Sequence, residues 1–129
     1  MKTGDTALLH QIGDSYISYM EQKVHYFEGQ SMKLFERNIP QILLIHANAL
    51  NGDYLGRLAG MFEKNRYTFI SLDEALKDAA YLSEDHYYKS NGISWLDRWA
   101  LTLGKKGDFF RGEPKVSQNI LKLAKVEYE

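Results

Sequence analysis

A histidine at the end of an apolar run is the feature of this chain best suited to chemistry. Ile42-Leu43-Leu44-Ile45 leads into His46, and Ala47, Asn48, Ala49, Leu50 and Asn51 follow. Imidazole is the side chain whose ordinary pKa lets it give or take a proton near neutrality, so His46 is a candidate general acid or base. A packed, hydrogen-bonded histidine is the other reading of the same position. His10, His25 and His86 stand alone: no two of the four histidines are three or four residues apart, the spacing that sets two imidazoles on one helix face for a metal. The chain has no cysteine, which excludes disulfides, thiolate catalysis and cysteine zinc sites. Asp73 and Glu74 form a carboxylate pair, but Ser71 three residues before Glu74 is a capping-box signature that explains them. Trp95 and Trp99, four apart, have two uses open to them, stacking on a sugar ring or packing against the fold.

The elements that must position these residues follow from periodicity. Ile42 to Ile45 show no polar alternation, as in a strand buried on both faces of a parallel sheet, and Pro40 suits only the entry to such a strand. His46 then falls at the carboxyl edge of the sheet, where α/β proteins bind their ligands. Leu55, Leu58, Ala59 and Phe62 recur at helical spacing and predict a helix over 53–65, capped by Asn51 or Asp53 and stopped at Asn65. Tyr67 to Leu72 reads as a second strand, followed by a short helix after Ser71. Strand, helix, strand makes a βαβ unit with a right-handed crossover. Before it, Leu9, Ile12, Tyr16, Tyr19, Met20 and Phe27 predict a long helix over 5–37, with Thr3 or Asp5 as N-cap and an interruption possible at Gly29. A short amphipathic helix is expected over 93–103, and 104–129 reads as an irregular tail with a weak helix from Gln118.

The fold class expected is therefore α/β, in a single but partial domain over residues 1–129. A helix over 5–37 would be about 50 Å long, against a radius of gyration of roughly 14 Å for a compact domain of this size. Two parallel strands also leave two open edges. The chain has 129 residues, 44% hydrophobic and 26% charged, and a formal net charge of −1. That balance offers no attraction to nucleic acid or to an anionic membrane, and no apolar run reaches the roughly 18 residues of a membrane span. Met1 to Asp5 has no apolar stretch of the kind a signal peptide needs.

Ile39 to Asn51, then Arg66-Tyr-Thr-Phe-Ile-Ser-Leu-Asp-Glu-Ala-Leu76, resembles the C-terminal part of the polysaccharide deacetylase family. Leu43-Leu44-Ile45-His46 occupies the place of its last motif, Leu-x-x-His; the segment from Ala7 to Phe35 and the run Gly92-Ile-Ser-Trp-Leu-Asp-Arg-Trp99 are similar to one subgroup. The resemblance implies the last portion of a distorted (β/α) barrel. It also implies metal-assisted removal of acetyl groups from N- or O-acetylated sugar polymers, and a periplasmic or extracellular location. On this resemblance His46 matches the histidine that protonates the leaving amine or alcohol. Leu44 either walls the acetyl pocket or packs in the core, and Trp95 is a weaker candidate for substrate contact.

The family's Thr-Phe-Asp-Asp and His-Ser/Thr-x-x-His motifs, which the resemblance assigns to the base and metal ligands, are absent from this sequence, as is its Arg-x-Pro-Tyr type motif. The divalent metal, zinc foremost, is thus expected for a complete family domain and not for this chain, whose ligand would be a carbohydrate polymer or oligosaccharide. Three readings stay open: a piece of a complete enzyme, one half of a split enzyme, or a non-catalytic binding or structural remnant. The missing N-terminal part or self-association is expected to cover the apolar surface. Sedimentation at micromolar concentration should accordingly show dimers or larger species; a cooperatively folded monomer would count against the partial-domain reading.

Overall fold

The computed structural model describes residues 3–124, and within them it contains helices but no strand. The order is α1 (Thr3–Phe35), α2 (Ala49–Lys64), α3 (Leu72–Ala75), a 3₁₀ turn at Ala79–Leu82, α4 (Trp95–Thr102), a second 3₁₀ turn at Gly107–Phe110, and α5 (Gln118–Ala124). The α/β expectation, including the (β/α)-barrel segment, is therefore corrected: residues 41–47 and 67–71 belong to no regular element among the described residues. The helical expectations fare better. α1 runs through Gly29 without a break, and Thr3 and Asp5 lie inside it. α2 is capped by Asn48, on extended backbone, whose side chain accepts from the Asn51 N–H; Asn51 and Asp53 are helical residues. α3 follows Ser71, its N-cap, whose side chain accepts from the Glu74 N–H.

The residues fall into two compact units. The first comprises 3–24, 44–68 and 114–124. In it, Leu58, Met61 and Phe62 of α2 are buried and pack against Tyr16, Ile17, Met20 and Val24 of α1. Contacts advance together along both helices. The Tyr54 hydroxyl donates to the Leu9 carbonyl at 3.1 Å, Arg57 pairs with Asp14 at 2.7 Å, and the Asn65 amide donates to Glu21 at 2.9 Å. The two helices thus run side by side in the same direction. Gly13 makes the approach possible, since a Cβ there would fall 1.8–2.1 Å from atoms of the Tyr54 ring. α2 closes with Arg66 in the left-handed region (φ 65). The N–H of Tyr67 returns to the Phe62 carbonyl at 3.0 Å and that of Arg66 to Glu63 at 2.9 Å, with the Tyr67 ring edge-on to Phe62. This is the Schellman pattern with its apolar contact.

The second unit comprises 25–43 and 69–113. Its core is Ile39, Ala80, Leu96 and Trp99, with Phe27, Leu34, Phe35 and Tyr81 packed around it. Phe35 and Tyr81 each meet Trp99 edge-on, with centroids 5.5 Å apart. The chain leaving α1 is held to this core by polar groups. Ser31, fully buried, donates to the Arg37 carbonyl at 2.8 Å and accepts from the Ile39 N–H at 3.0 Å. The Tyr81 hydroxyl donates to the Pro40 carbonyl at 2.7 Å, and Arg37 grips Asp78 through both terminal nitrogens. Ile39, 3% exposed, is the residue of this stretch that enters the core, whereas Ile42 and Leu43 remain 37% and 45% exposed.

The reason for the missing strands is a competition for apolar faces. A strand exists by pairing, and a two-stranded parallel sheet is stable only when helices cover it. The face of α2 that would have covered it lies on α1 instead. Among the described residues no helix is long and apolar enough to cross a membrane.

Gly13 and Gly29, both inside α1, should respond oppositely to alanine. At Gly29 nothing lies within 4 Å of a new Cβ, so Gly29→Ala should raise the unfolding free energy by about 1 kcal/mol, the propensity gain of a helix interior. Gly13→Ala has the same gain but expels the Tyr54 ring, and should lower stability by about 1–2 kcal/mol. Urea denaturation of both variants tests this; equal gains would mean that Tyr54 does not depend on the space at Gly13.

Candidate functional site

His46 lies in the first unit, two residues before the N-cap of α2, with its side chain exposed. Its carbonyl accepts from the Asn51 side-chain amide at 2.7 Å. Among the described residues its imidazole has no hydrogen-bond or ion-pair partner. The ring is therefore exposed, on a residue whose carbonyl is held by Asn51.

Asn51, which the sequence offers only as a candidate helix cap, is tied to His46. Its backbone N–H donates to the Asn48 side chain at 2.9 Å, as the third residue of a capped helix should. Its side-chain oxygen accepts from the Tyr16 hydroxyl at 2.5 Å, while its amide nitrogen holds His46. The His46 carbonyl can only accept, so the NH₂ group must face it and the amide oxygen must face Tyr16, whose hydroxyl then has to donate. Burial pushes the Tyr16 phenol above its ordinary pKa, which keeps that proton in place. The signal available in the sequence is the spacing Asn48-x-x-Asn51 just after His46, where a capping box would have glutamate or glutamine.

Beside this group, in the same unit, is a cleft of about 560 Å³. Its walls include Tyr16, Tyr19 and Gln22 of α1, Leu50 of α2, and Lys115 and Ile120 from the last segment. The size falls within the roughly 300–1,000 Å³ of small-molecule sites.

Leu44, also in the first unit, is 88% exposed, so neither an acetyl-pocket wall nor a core position is formed around it by the described residues. Trp95 belongs to the second unit and is 49% exposed. It stacks on Trp99 at 5.9 Å, and the Arg98 guanidinium lies 4.9 Å from its ring centroid. Arg98 is in turn held by Asp85, its Nε donating at 2.8 Å, and by the Tyr87 carbonyl at 3.2 Å. The ring thus makes a packing and a cation–π contact within the unit while half of the residue stays exposed.

The other titratable candidates stay apart. His10 is exposed, His25 pairs with Glu28 at 2.9 Å on α1, and His86 lies in an exposed loop 3.8 Å from Glu84. Glu74 pairs with Lys77 at 2.7 Å, leaving the capping role of Ser71 intact. Among the described residues no three histidines or carboxylates come close enough to hold a metal ion. Comparison of the chain with protein-family models, with curated proteins and with solved structures finds no match.

Two carboxylates of the second unit make its stability depend on acid. The hydrogen bond from Arg37, then the Ala80 N–H, hold the Asp78 carboxyl below its ordinary pKa; the bond from Arg98, then the Tyr87 N–H, do the same for Asp85. A depressed carboxylate stabilises the fold above the unfolded pKa of about 3.9 and loses that contribution as the pH falls through the folded value. Both tryptophans lie in this unit, so their fluorescence reports it. The urea midpoint should be nearly level from pH 6 to about 5 and fall below about 4. Asp78→Asn and Asp85→Asn should each flatten the acid limb; an unchanged limb in the double variant would remove the assignment.

Proposed function

We propose that this chain is the acid-bearing segment of a polysaccharide deacetylase, the part that supplies a proton to the leaving group as an acetyl group is removed from an N- or O-acetylated sugar polymer. The observation that carries this reading is His46: it ends the one stretch of the sequence that matches the family's Leu-x-x-His motif, and its imidazole is exposed at the start of α2 with its backbone tied down. An acid needs both features, a ring open to the substrate and a fixed origin from which to reach it.

The family's divalent metal does not fit the residues present. The described part of the chain brings together no ligand set, near His46 or elsewhere. What this chain contributes is limited to the proton. A leaving amine departs poorly as an anion, and protonation at its nitrogen as the carbon–nitrogen bond breaks removes that barrier; an alkoxide oxygen gains in the same way, though less. Attack on the carbonyl has to be provided by another polypeptide segment bearing the Thr-Phe-Asp-Asp and His-Ser/Thr-x-x-His motifs. The absence of any such set from the described residues favours, as a second reading, a non-catalytic carbohydrate-binding remnant.

Acetate release from acetylated chitooligosaccharides and acetylated xylan separates the two. The chain alone should be silent. Supplied with a segment carrying those two motifs, it should release acetate, and His46→Ala in the combined enzyme should lower kcat by roughly 10²–10⁴-fold, the usual worth of a general acid. The loss should be smaller on aryl acetates, whose leaving groups hardly need a proton, and bound metal should be unchanged. Silence of the combination alongside saturable saccharide binding by the chain would favour the remnant. An intact kcat in the histidine variant would remove the acid role.

A further inference from the structure

The hydrogen bonds around the start of α2 are more than a helix cap. In a capping box the third helical residue reaches back to the N–H of the cap itself. Asn51 occupies that position, yet its amide bypasses Asn48 and Ala47 and donates to the carbonyl of His46 at 2.7 Å. Glutamate or aspartate there would have no proton to donate to a carbonyl. The other end of the amide is taken by the Tyr16 hydroxyl at 2.5 Å. Tyr16 is itself fixed, because it packs against the Leu58, Met61 and Phe62 cluster. Both ends of Asn51 are thus engaged in a defined sense, and the connection runs from α1 through one side chain to the backbone of His46. The imidazole at the end of it is exposed and, among the described residues, has no hydrogen-bond or ion-pair partner. This is a geometry that sets where the ring starts from without restricting what it touches.

We infer that Asn51, oriented by Tyr16, is the positioning residue of His46: it fixes the backbone from which the imidazole is presented and takes no part in the chemistry itself. The functional meaning of that role rests on His46 being the acid proposed above; the structural role does not. Nor is it a general stabilising contact of α2. The cap bond from Asn48 goes to the Asn51 backbone at 2.9 Å and survives any change of the Asn51 side chain. Removing the side chain should therefore loosen His46 while leaving the helix in place.

Nuclear magnetic resonance on the full chain tests this without any assay of activity. In the unaltered protein a through-hydrogen-bond scalar coupling should connect the Asn51 side-chain nitrogen to the His46 carbonyl carbon, and the backbone order parameter at His46 should sit near the rigid value of about 0.85. Asn51→Ala should bring it below about 0.6, with Leu58, Met61 and Phe62 unchanged. Asn51→Asp keeps an acceptor for Tyr16 but loses the donor to His46, so it should do the same. Tyr16→Phe leaves that donor in place but frees the amide to turn, and should give an intermediate value. A missing coupling in the unaltered protein, an order parameter at His46 that ignores both Asn51 variants, or a fall spread evenly along α2 would each overturn the assignment. The unaltered-protein coupling keeps the test decisive even if a variant fails to fold. Because none of these readouts involves turnover, they separate from the acid role: coupling present with a fully active His46→Ala enzyme would leave Asn51 in its place and remove only the chemistry.

Discussion

The apolar face of α2 can be buried only once, and it is buried on α1. Leu58, Met61 and Phe62 meet Tyr16, Ile17, Met20 and Val24, and burying side chains of this size is worth about 1.5–3 kcal/mol each. That contact is possible because Gly13 lets the Tyr54 ring lie against the α1 backbone. It also sets the direction of α2, since Arg57 to Asp14 and Asn65 to Glu21 follow Tyr54 to Leu9 in step. A helix committed in this way has no face left for a sheet. Among the described residues the segments on either side, 41–47 and 67–71, then form no strand and stay irregular.

Parallel neighbours that are consecutive in the chain require the connection between them to travel back, and here it is held at each end by a few polar groups. In the second unit, Ser31, Tyr81 and the Arg37–Asp78 pair fix residues 37–40 and turn Ile39 into the core. In the first, Asn48 and Asn51 fix residues 46–51. Hydrogen bonds of this kind add little net stability, but they tie particular backbone atoms together and so select one path among many. The path selected leaves His46 exposed, with its carbonyl held by the Asn51 amide. For a residue proposed to hand over a proton, that combination matters more than burial would.

Trp95 shows the same preference for structural explanations close to hand. It stacks on Trp99 with the guanidinium of Arg98 beside it, and it stays 49% exposed. Arg98 is oriented by Asp85, so the cluster reads as a stabilised helix start around Ser94 and Asp97. Leu44 has no such explanation: at 88% exposure it is an apolar side chain with nothing of the described structure over it.

What the sequence by itself determined are the features set within a turn or two of chain. The three-and-four spacing from Leu9 to Phe27 and from Leu55 to Phe62 sufficed for α1 and α2, and Ser71 with Glu74 for the start of α3. His46 as the one imidazole at the end of an apolar run was equally legible, as was the lack of a paired-histidine motif. Only tertiary structure decided whether Ile42 to Ile45 would be a strand. An unalternated apolar run states that burial is favourable and says nothing of which partner provides it; strand pairing is a property of two segments, and here α1 took the helix that would have covered them. Tertiary structure also decided the role of Asn51. In the sequence it reads only as a candidate cap, and the bond from Tyr16, 35 residues away, comes from α1 and α2 lying side by side. Local spacing encodes helices because their hydrogen bonds are local, and it is silent on contacts whose partners are brought together by packing.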